Sequence, residues 1–279
     1  MIAGALADAA RPLSPTAVLV SSASVDTAAH AAVLAGGVRQ VVPAGATVAV
    51  VADTIGCWAA TAACEPAVAV IAGTGSAVLA GALDQGSRRY GGWDYVLGDE
   101  GSGYHLGRAA LREVLLVSEG RSDGTALADA VRSRLHIVET DEVLDHAYKP
   151  EVDKAFIASF AGEVLDLAAA GDARSAALVE EAAACLADAV AAAFRDFRSL
   201  GTLGCFGGLW NAEVYRAAFA EAFAARVADH VEVVYRGDVA MVGSLRLLLR
   251  KAPSVDRGAE DEAVARFTDE LATAKESHG

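Results

Sequence analysis

The sequence predicts an α/β fold, because short apolar runs alternate along the chain with longer stretches of helical spacing. The runs at 16–22 and 46–53 are rich in valine and bounded by turns, which is typical of buried parallel strands. The segments after them, 25–37 and 53–66, are expected to be helices, the first ended by glycines and the second by proline. A further apolar run at 68–73 is the next predicted strand.

The rest of the chain continues this alternation but contains a long helical part. Residues 104–198 have almost entirely helical spacing. Its three predicted breaks fall at turn-forming residues, near 119–124, 148–150 and 171–172. Beyond it, strands are predicted at 201–208 and 230–237. Helices are predicted at 211–227 and 238–251. The last stretch, 252–279, is highly charged, which indicates a solvated helix or tail.

Three glycine-rich turns between residues 73 and 103 are the most distinctive pattern, at 73–76, 91–93 and 98–103. The first follows directly on a buried strand. Glycines let backbone N–H groups approach an anion closely, and Thr74 and Ser76 add hydroxyl groups. Such a unit suits the oxygens of a nucleotide phosphate or a sugar, although a lone Gly-Thr-Gly-Ser turn is equally typical of a structural hairpin.

The pattern differs from the two common nucleotide-binding signatures. A dinucleotide-binding turn requires Gly-x-Gly-x-x-Gly at the start of a helix, but Val78 stands at the third glycine position. The residues that follow predict a strand, a turn at 84–86 and a second strand, and not a helix. The P-loop signature is absent from the sequence.

Composition narrows the class of protein. The 279 residues are 54% hydrophobic, enough for a sizeable core in one or two domains. The net charge of −14 argues against a nucleic-acid surface. The four cysteines have no metal-binding spacing and are expected to be structural. Without a signal-peptide pattern or a long apolar run, a cytoplasmic protein with no membrane span is expected.

Segments 71–111 and 206–212 resemble the BadF/BadG/BcrA/BcrD ATPase family and its N-acetylglucosamine kinase-like members, and a weaker resemblance extends over about 16–250. It implies an actin-like (ribonuclease H-like) ATPase fold with two lobes, the first incomplete. The first lobe would comprise 1–66, with helix 238–251 packed back on it. The second lobe would be 67–237, with a helical insertion at 104–198, followed by a charged tail at 252–279.

Asp53 is the residue whose role the resemblance changes most. From its position at the end of a strand and the start of a helix, it is either a helix N-cap or a catalytic base. The resemblance places it on the aspartate that takes the proton from the sugar hydroxyl. Ala52 stands where the family usually has asparagine, which puts one polar contact of the family in question.

The resemblance also implies roles for the glycine-rich turns. The residues expected to contact ATP are Gly73, Thr74, Gly207 and Gly208. Those expected to contact the sugar are Gly75, Ser76, Trp93 and Asp99, and no metal-ligating residue is assigned. From the residues alone, Trp93 could instead fill the core, Asp99 could be a solvated turn residue, and Gly207 and Gly208 a plain tight turn. Glu100 would orient Asp99 or cap the following helix.

The implied function is phosphorylation of an amino sugar, most often N-acetylglucosamine at its 6-hydroxyl, with ATP and Mg²⁺. Two alternatives are left open: a sugar- or nucleotide-binding regulator, and an ATPase that activates a partner. The sugar is not fixed, and neither is the oligomeric state, a homodimer included.

A phosphate-binding hairpin that normally opens this family has no counterpart in the sequence. Relatives begin with a strand that ends in Asp-Gly-Gly-Gly-Thr-Lys, and no such motif precedes Thr16. A truncated start, an authentic short chain and a binding protein without turnover are all compatible with this. In each case the strand at 16–22 is expected to have a free edge that recruits another chain or aggregates.

Overall fold

In the computed structural model, the described residues are 15–149, 152–197, 200–227, 230–235, 240–250 and 256–276. Their strands form two sheets, one of two strands and one of five. The α/β alternation predicted from the sequence is confirmed.

The smaller sheet pairs β1 (Ala17–Ser22) and β2 (Thr47–Ala52) in parallel. Both strands were expected to be buried, and this is wrong: their residues are half-buried or exposed. Among the described residues β1 pairs only with β2, so each strand keeps one open edge. Whether that edge recruits another chain stays a prediction. The connecting helix α1 (Ala28–Arg39) runs through the two glycines that were expected to end it.

The larger sheet has the strand order β5–β4–β3–β6–β7, with β3 (Ala67–Ala72) at its centre. β6 (Thr202–Phe206) and β7 (Glu232–Tyr235) run parallel to β3. β4 (Ser76–Ala82) and β5 (Gly86–Tyr90) form the antiparallel hairpin that the sequence predicts in place of a dinucleotide-binding helix.

Helix α2 (Asp53–Thr61) connects the two sheets, since it contacts β1 and β2 on one side and β3, β4 and β6 on the other. The helix was expected to reach Pro66, but it ends at Thr61 because Ala63 and Cys64 adopt positive φ. The indole of Trp58 is buried and donates a hydrogen bond to the carbonyl of Gly81 in β4, at 2.8 Å.

The predicted helical part is confirmed, and it packs on the larger sheet. Most of the buried side chains of its longest helix, α9 (Ala173–Asp196), belong to the core between them. The short α3 (Asp94–Leu97) precedes this helical part, and its own helices are α4 (Gly103–Ser118), α5 (Thr125–Leu135), α6 (Glu142–Ala147), α7 (Lys154–Ala158), α8 (Ala161–Ala169) and α9. After β6 come a short 3₁₀ turn (Gly208–Asn211) and α10 (Glu213–Ala224).

The last two described helices are α11 (Ala240–Arg250), which packs on α2 and β1, and α12 (Arg257–Glu276). The charged tail is not fully solvated, because Glu260 of α12 is 3% exposed. Its carboxylate accepts hydrogen bonds from Arg246 and Arg250 of α11, each at 2.8 Å. An ion-pair cluster thus holds the start of α12 against α11. The division of the chain into lobes stays a prediction.

Replacing Glu260 with glutamine should lower the free energy of unfolding by about 3 kcal/mol, because two arginines lose a buried counter-charge. Urea unfolding followed by circular dichroism measures the change. The matched control is Asp261→Asn, which removes a partner of the same Arg246 at 2.7 Å from an exposed position. That variant should lose less than about 1 kcal/mol. Equal losses in the two variants would contradict a structural role for the buried carboxylate.

Candidate active site

A cleft of about 620 Å³ lies where β2 and β3 end, between the two sheets. Ligands of open α/β sheets bind at such strand ends. Of the residues predicted from the sequence, the cleft brings together Asp53, Gly73, Thr74, Gly75, Ser76 and Asp99. It does not include Trp93, Gly207 or Gly208 in its lining.

Two of the glycine-rich turns are joined by backbone hydrogen bonds. The amides of Gly103 and Tyr104 donate to the carbonyls of Gly73 and Thr74, at 2.7 and 3.0 Å. The hydroxyl of Ser76 donates to the carbonyl of Glu100 at 2.7 Å. Residues 73–76 and 98–104 therefore form one unit, although a whole hairpin separates them in sequence.

Asp99 lies at the centre of this unit. It is 3% exposed and has a φ of +64°. Its Oδ1 accepts a hydrogen bond from the amide of Ser76 at 3.0 Å. Within the described residues its buried Oδ2 accepts no hydrogen bond of good geometry. The alternative of a solvated turn carboxylate is therefore wrong.

Lys154, at the start of α7, is a cleft residue that the sequence analysis missed. Its Nζ lies 2.5 Å from Asp99 Oδ2 and donates a hydrogen bond to Asp94 Oδ1 at 2.7 Å. Burial disfavours the ammonium charge, but the two carboxylates outweigh this and raise the pKa of Lys154. No local pattern marks this lysine, since its partners lie in another segment of the chain.

Gly75 is a glycine for a steric reason. A Cβ at this position would lie 2.7 Å from Lys154 Nζ and 2.9 Å from Asp99 Oδ1. Any side chain would displace the ion pair.

Asp53 faces the cleft from the first turn of α2. The N-cap position of that helix is Ala52, whose side chain cannot cap, and Asp53 Oδ1 instead accepts from the adjacent amide of Thr54 at 2.8 Å. Burial raises the pKa of Asp53, the bond from Thr54 opposes this, and the charge of Asp26 raises it further. A carboxylate with a raised pKa in a cleft is a candidate general base.

Trp93 is 57% exposed, so the alternative that it fills the core is wrong. The guanidinium of Arg89 lies 4.0 Å from its ring centroid, in a cation–π contact. Arg89 also pairs with Asp26 at 3.2 Å, across the cleft. Trp93 lines a neighbouring pocket of about 430 Å³, which shares Ser76, Ala77 and Gly92 with the cleft.

Gly207 and Gly208 follow β6 and lie beside the first glycine turn. A Cβ on Gly73 would be 3.9 Å from both Gly207 Cα and Gly208 N. The two turns therefore meet at the ends of adjacent parallel strands. The role of these glycines in binding adenosine stays a prediction. The following α4 is capped by Ser102, whose hydroxyl accepts from the amide of His105 at 3.1 Å, and not by Glu100.

Within the described residues, no group of three or more histidine, cysteine, aspartate or glutamate side chains is arranged to hold a metal ion. No helix in this part of the chain is both long and apolar enough to cross a membrane.

Two solved structures are similar to this chain in fold. A candidate N-acetylglucosamine kinase from Chromobacterium violaceum superposes with a TM-score of 0.62 and 27% identity, over 76% of this chain and 70% of that one. Another from Porphyromonas gingivalis superposes with a TM-score of 0.66 and 22% identity, over 88% and 83% of the two chains. The chain therefore has the actin-like ATPase fold that the sequence predicts.

Residues 17–242 match the BadF/BadG/BcrA/BcrD ATPase family, and the chain belongs to that family. It is 33% identical over 116 residues to an N-acetylmuramic acid/N-acetylglucosamine kinase of Clostridium acetobutylicum, over 42% of this chain and 38% of the relative. It is 34% identical over 84 residues to an N-acetyl-D-glucosamine kinase of Dictyostelium discoideum, over 30% and 26%. The matched segments thus span less than half of these curated relatives.

Proposed function

We propose that this protein transfers the γ-phosphoryl group of ATP to an amino sugar, N-acetylglucosamine at its 6-hydroxyl. The observation that carries the proposal is the meeting of Asp53, the Gly-Thr-Gly-Ser turn and Asp99 in one cleft between two sheets. The names of its relatives support the class of substrate. The choice of sugar and hydroxyl rests on the family resemblance alone.

In the proposed reaction, the Asp53 carboxylate takes the proton of the attacking hydroxyl. The sugar oxygen forms a bond to the γ-phosphorus while the bond from that phosphorus to the β–γ bridging oxygen breaks, and ADP leaves. The raised pKa of Asp53 makes it a stronger base than an exposed aspartate. The sugar would be oriented by Asp99, whose carboxylate is held at the cleft by the amide of Ser76 and the ammonium of Lys154.

ATP would lie along the other side of the same turn. The phosphates would approach the backbone of Gly73 and Thr74, and the adenosine would approach Gly207 and Gly208, where the two turns meet. Magnesium would arrive with the nucleotide and neutralise charge on its phosphates. Mg²⁺ in kinase sites is held mainly by phosphate oxygens, water and one or two carboxylates, and Asp26 and Asp53 both line the cleft.

Replacing Asp53 with asparagine should lower kcat by about 10²-fold or more, because asparagine cannot take up the proton. The fold should persist, since the amide oxygen can still accept from Thr54. ADP release in a coupled assay with N-acetylglucosamine measures kcat, and thermal unfolding measures stability. Since burial raises the pKa of Asp53, wild-type kcat should begin to fall at a higher pH than for an ordinary aspartate base. Equal kcat values in the two proteins would rule out Asp53 as the base.

Replacing Lys154 with methionine should weaken N-acetylglucosamine binding by about 10- to 100-fold, the value of one hydrogen bond to a charged group. Without the ammonium, the buried Asp99 carboxylate would lose its counter-charge and the contact that fixes its position in the cleft. Titration calorimetry measures the dissociation constant. Lys149→Met is the matched control, because that lysine is exposed and lies on the same segment. Unchanged affinity in Lys154→Met, with the control also unchanged, would contradict the role of Lys154.

A further inference from the structure

His105 holds the loop that carries Asp99. It lies in the first turn of α4, and its Nδ1 accepts a hydrogen bond from the amide of Gly101 at 2.9 Å. The carbonyl of the same Gly101 accepts from the hydroxyl of Tyr215 at 2.5 Å. Both backbone groups of Gly101 are thus fixed by side chains, and one of those side chains can titrate in the physiological range.

Close packing also restricts the backbone of Gly101. Its φ is +77°, and a Cβ there would lie 2.7 Å from both Ala182 O and Leu186 Cβ of α9. The loop is therefore pressed against α9 and relies on its two hydrogen bonds for orientation. Of these two bonds, only the one from the Gly101 amide is lost on protonation, because its acceptor is His105 Nδ1.

The orientation of Gly101 sets that of Asp99. The two residues lie in one turn, in which the amide of Ser102 donates to the carbonyl of Asp99 at 3.1 Å. Asp99 adopts a left-handed backbone conformation, φ +64°, which is uncommon for a residue with a side chain although aspartate adopts it more readily than most, and its surroundings hold it there. The contacts of Gly101 are among the surroundings that do so.

We propose that neutral His105 is a positioning residue for Asp99, acting through Gly101, and that its protonation releases the loop. The consequence for sugar binding rests on the proposed function. An imidazolium has an N–H at Nδ1 in place of the lone pair, so two donors would face each other and the Gly101 amide would lose its partner. Ser76 donates to Asp99 Oδ1, so its amide senses any shift of the carboxylate.

The surroundings of His105 set its protonation in the acidic pH range. Burial lowers the pKa of His105; Glu181 of α9 opposes this, Arg108 of α4 adds to the lowering, and Glu100 of the loop opposes it. Tyr215 of α10 faces the same loop, and burial raises the pKa of its phenol, so it stays a donor throughout. The imidazole is therefore neutral at neutral pH, and the loop should loosen on acidification.

Asparagine provides a matched variant, because its Oδ1 can take the place of Nδ1 but does not titrate, whereas leucine removes the acceptor and keeps the bulk. The test follows the amide resonances of Gly101 and Ser76 by NMR from pH 8 to pH 5, without ligand. In the wild type both should move with the midpoint of the His105 ring signals. In His105→Asn neither should show this step. A Ser76 amide that ignores the titration of His105 in the wild type would overturn the proposal.

Sugar affinity provides a second readout that separates this proposal from the proposed function. The dissociation constant of N-acetylglucosamine should rise about tenfold on acidification of the wild type, the value of one neutral hydrogen bond. It should stay flat in His105→Asn, and it should be about tenfold higher at every pH in His105→Leu. If His105→Leu only lowers Tm and leaves the dissociation constant at the wild-type value, His105 is structural and the proposal fails. If no amino sugar binds while the two amides respond as expected, the positioning role stands and the proposed function fails.

Discussion

The burial of one carboxylate, that of Asp99, is the constraint on which the rest of the site depends. An ionised carboxylate that is removed from water and left without a partner costs several kcal/mol. Here the amide of Ser76 and the ammonium of Lys154 compensate it, and these groups come from the β4–β5 hairpin and from helix α7. Three segments that are distant in sequence must therefore meet at this point before the cleft has its shape. Gly75 follows from the same constraint, since a side chain there would separate the charges.

Helix α2 fixes the position of one sheet relative to the other, because it contacts strands of both. It begins with Asp53 at the cleft and is covered on its outer side by α11. The distance between Asp53 and the Asp99 unit is thus set by how α2 packs, and not by any direct bond between the two. Four aspartates and two basic residues line the cleft, so its carboxylates outnumber its cations. In the proposed reaction, a triphosphate would enter this acidic cleft together with its metal ion.

Much of the fold is visible in the sequence because it depends on local patterns. The run before Gly73 and the alternation after it are sufficient to predict β3 and the β4–β5 hairpin, and the glycine turns are sufficient to place the cleft. Helix ends were less accurate, since neither Ala63 nor Cys64 is a residue type that favours positive φ, and alanine is the strongest helix former. Lys154 and the buried Glu260 could not be found, because a long-range ion pair leaves no periodic trace in the chain. The proposed roles of the site residues come from the family resemblance and still await their experiments.

The ion pair between Arg89 and Asp26 has a consequence for how the cleft admits a ligand. It crosses from the loop after β1 to β5, and Asp26 is 48% exposed in its side chain. A pair in contact with water contributes at most about 1 kcal/mol and weakens as salt rises. Breaking the Arg89–Asp26 pair therefore costs little free energy, whereas the buried contacts around Asp99 cost more to break. Rising ionic strength should therefore weaken the Arg89–Asp26 pair at the cleft entrance much more than the buried ion pair between Lys154 and Asp99.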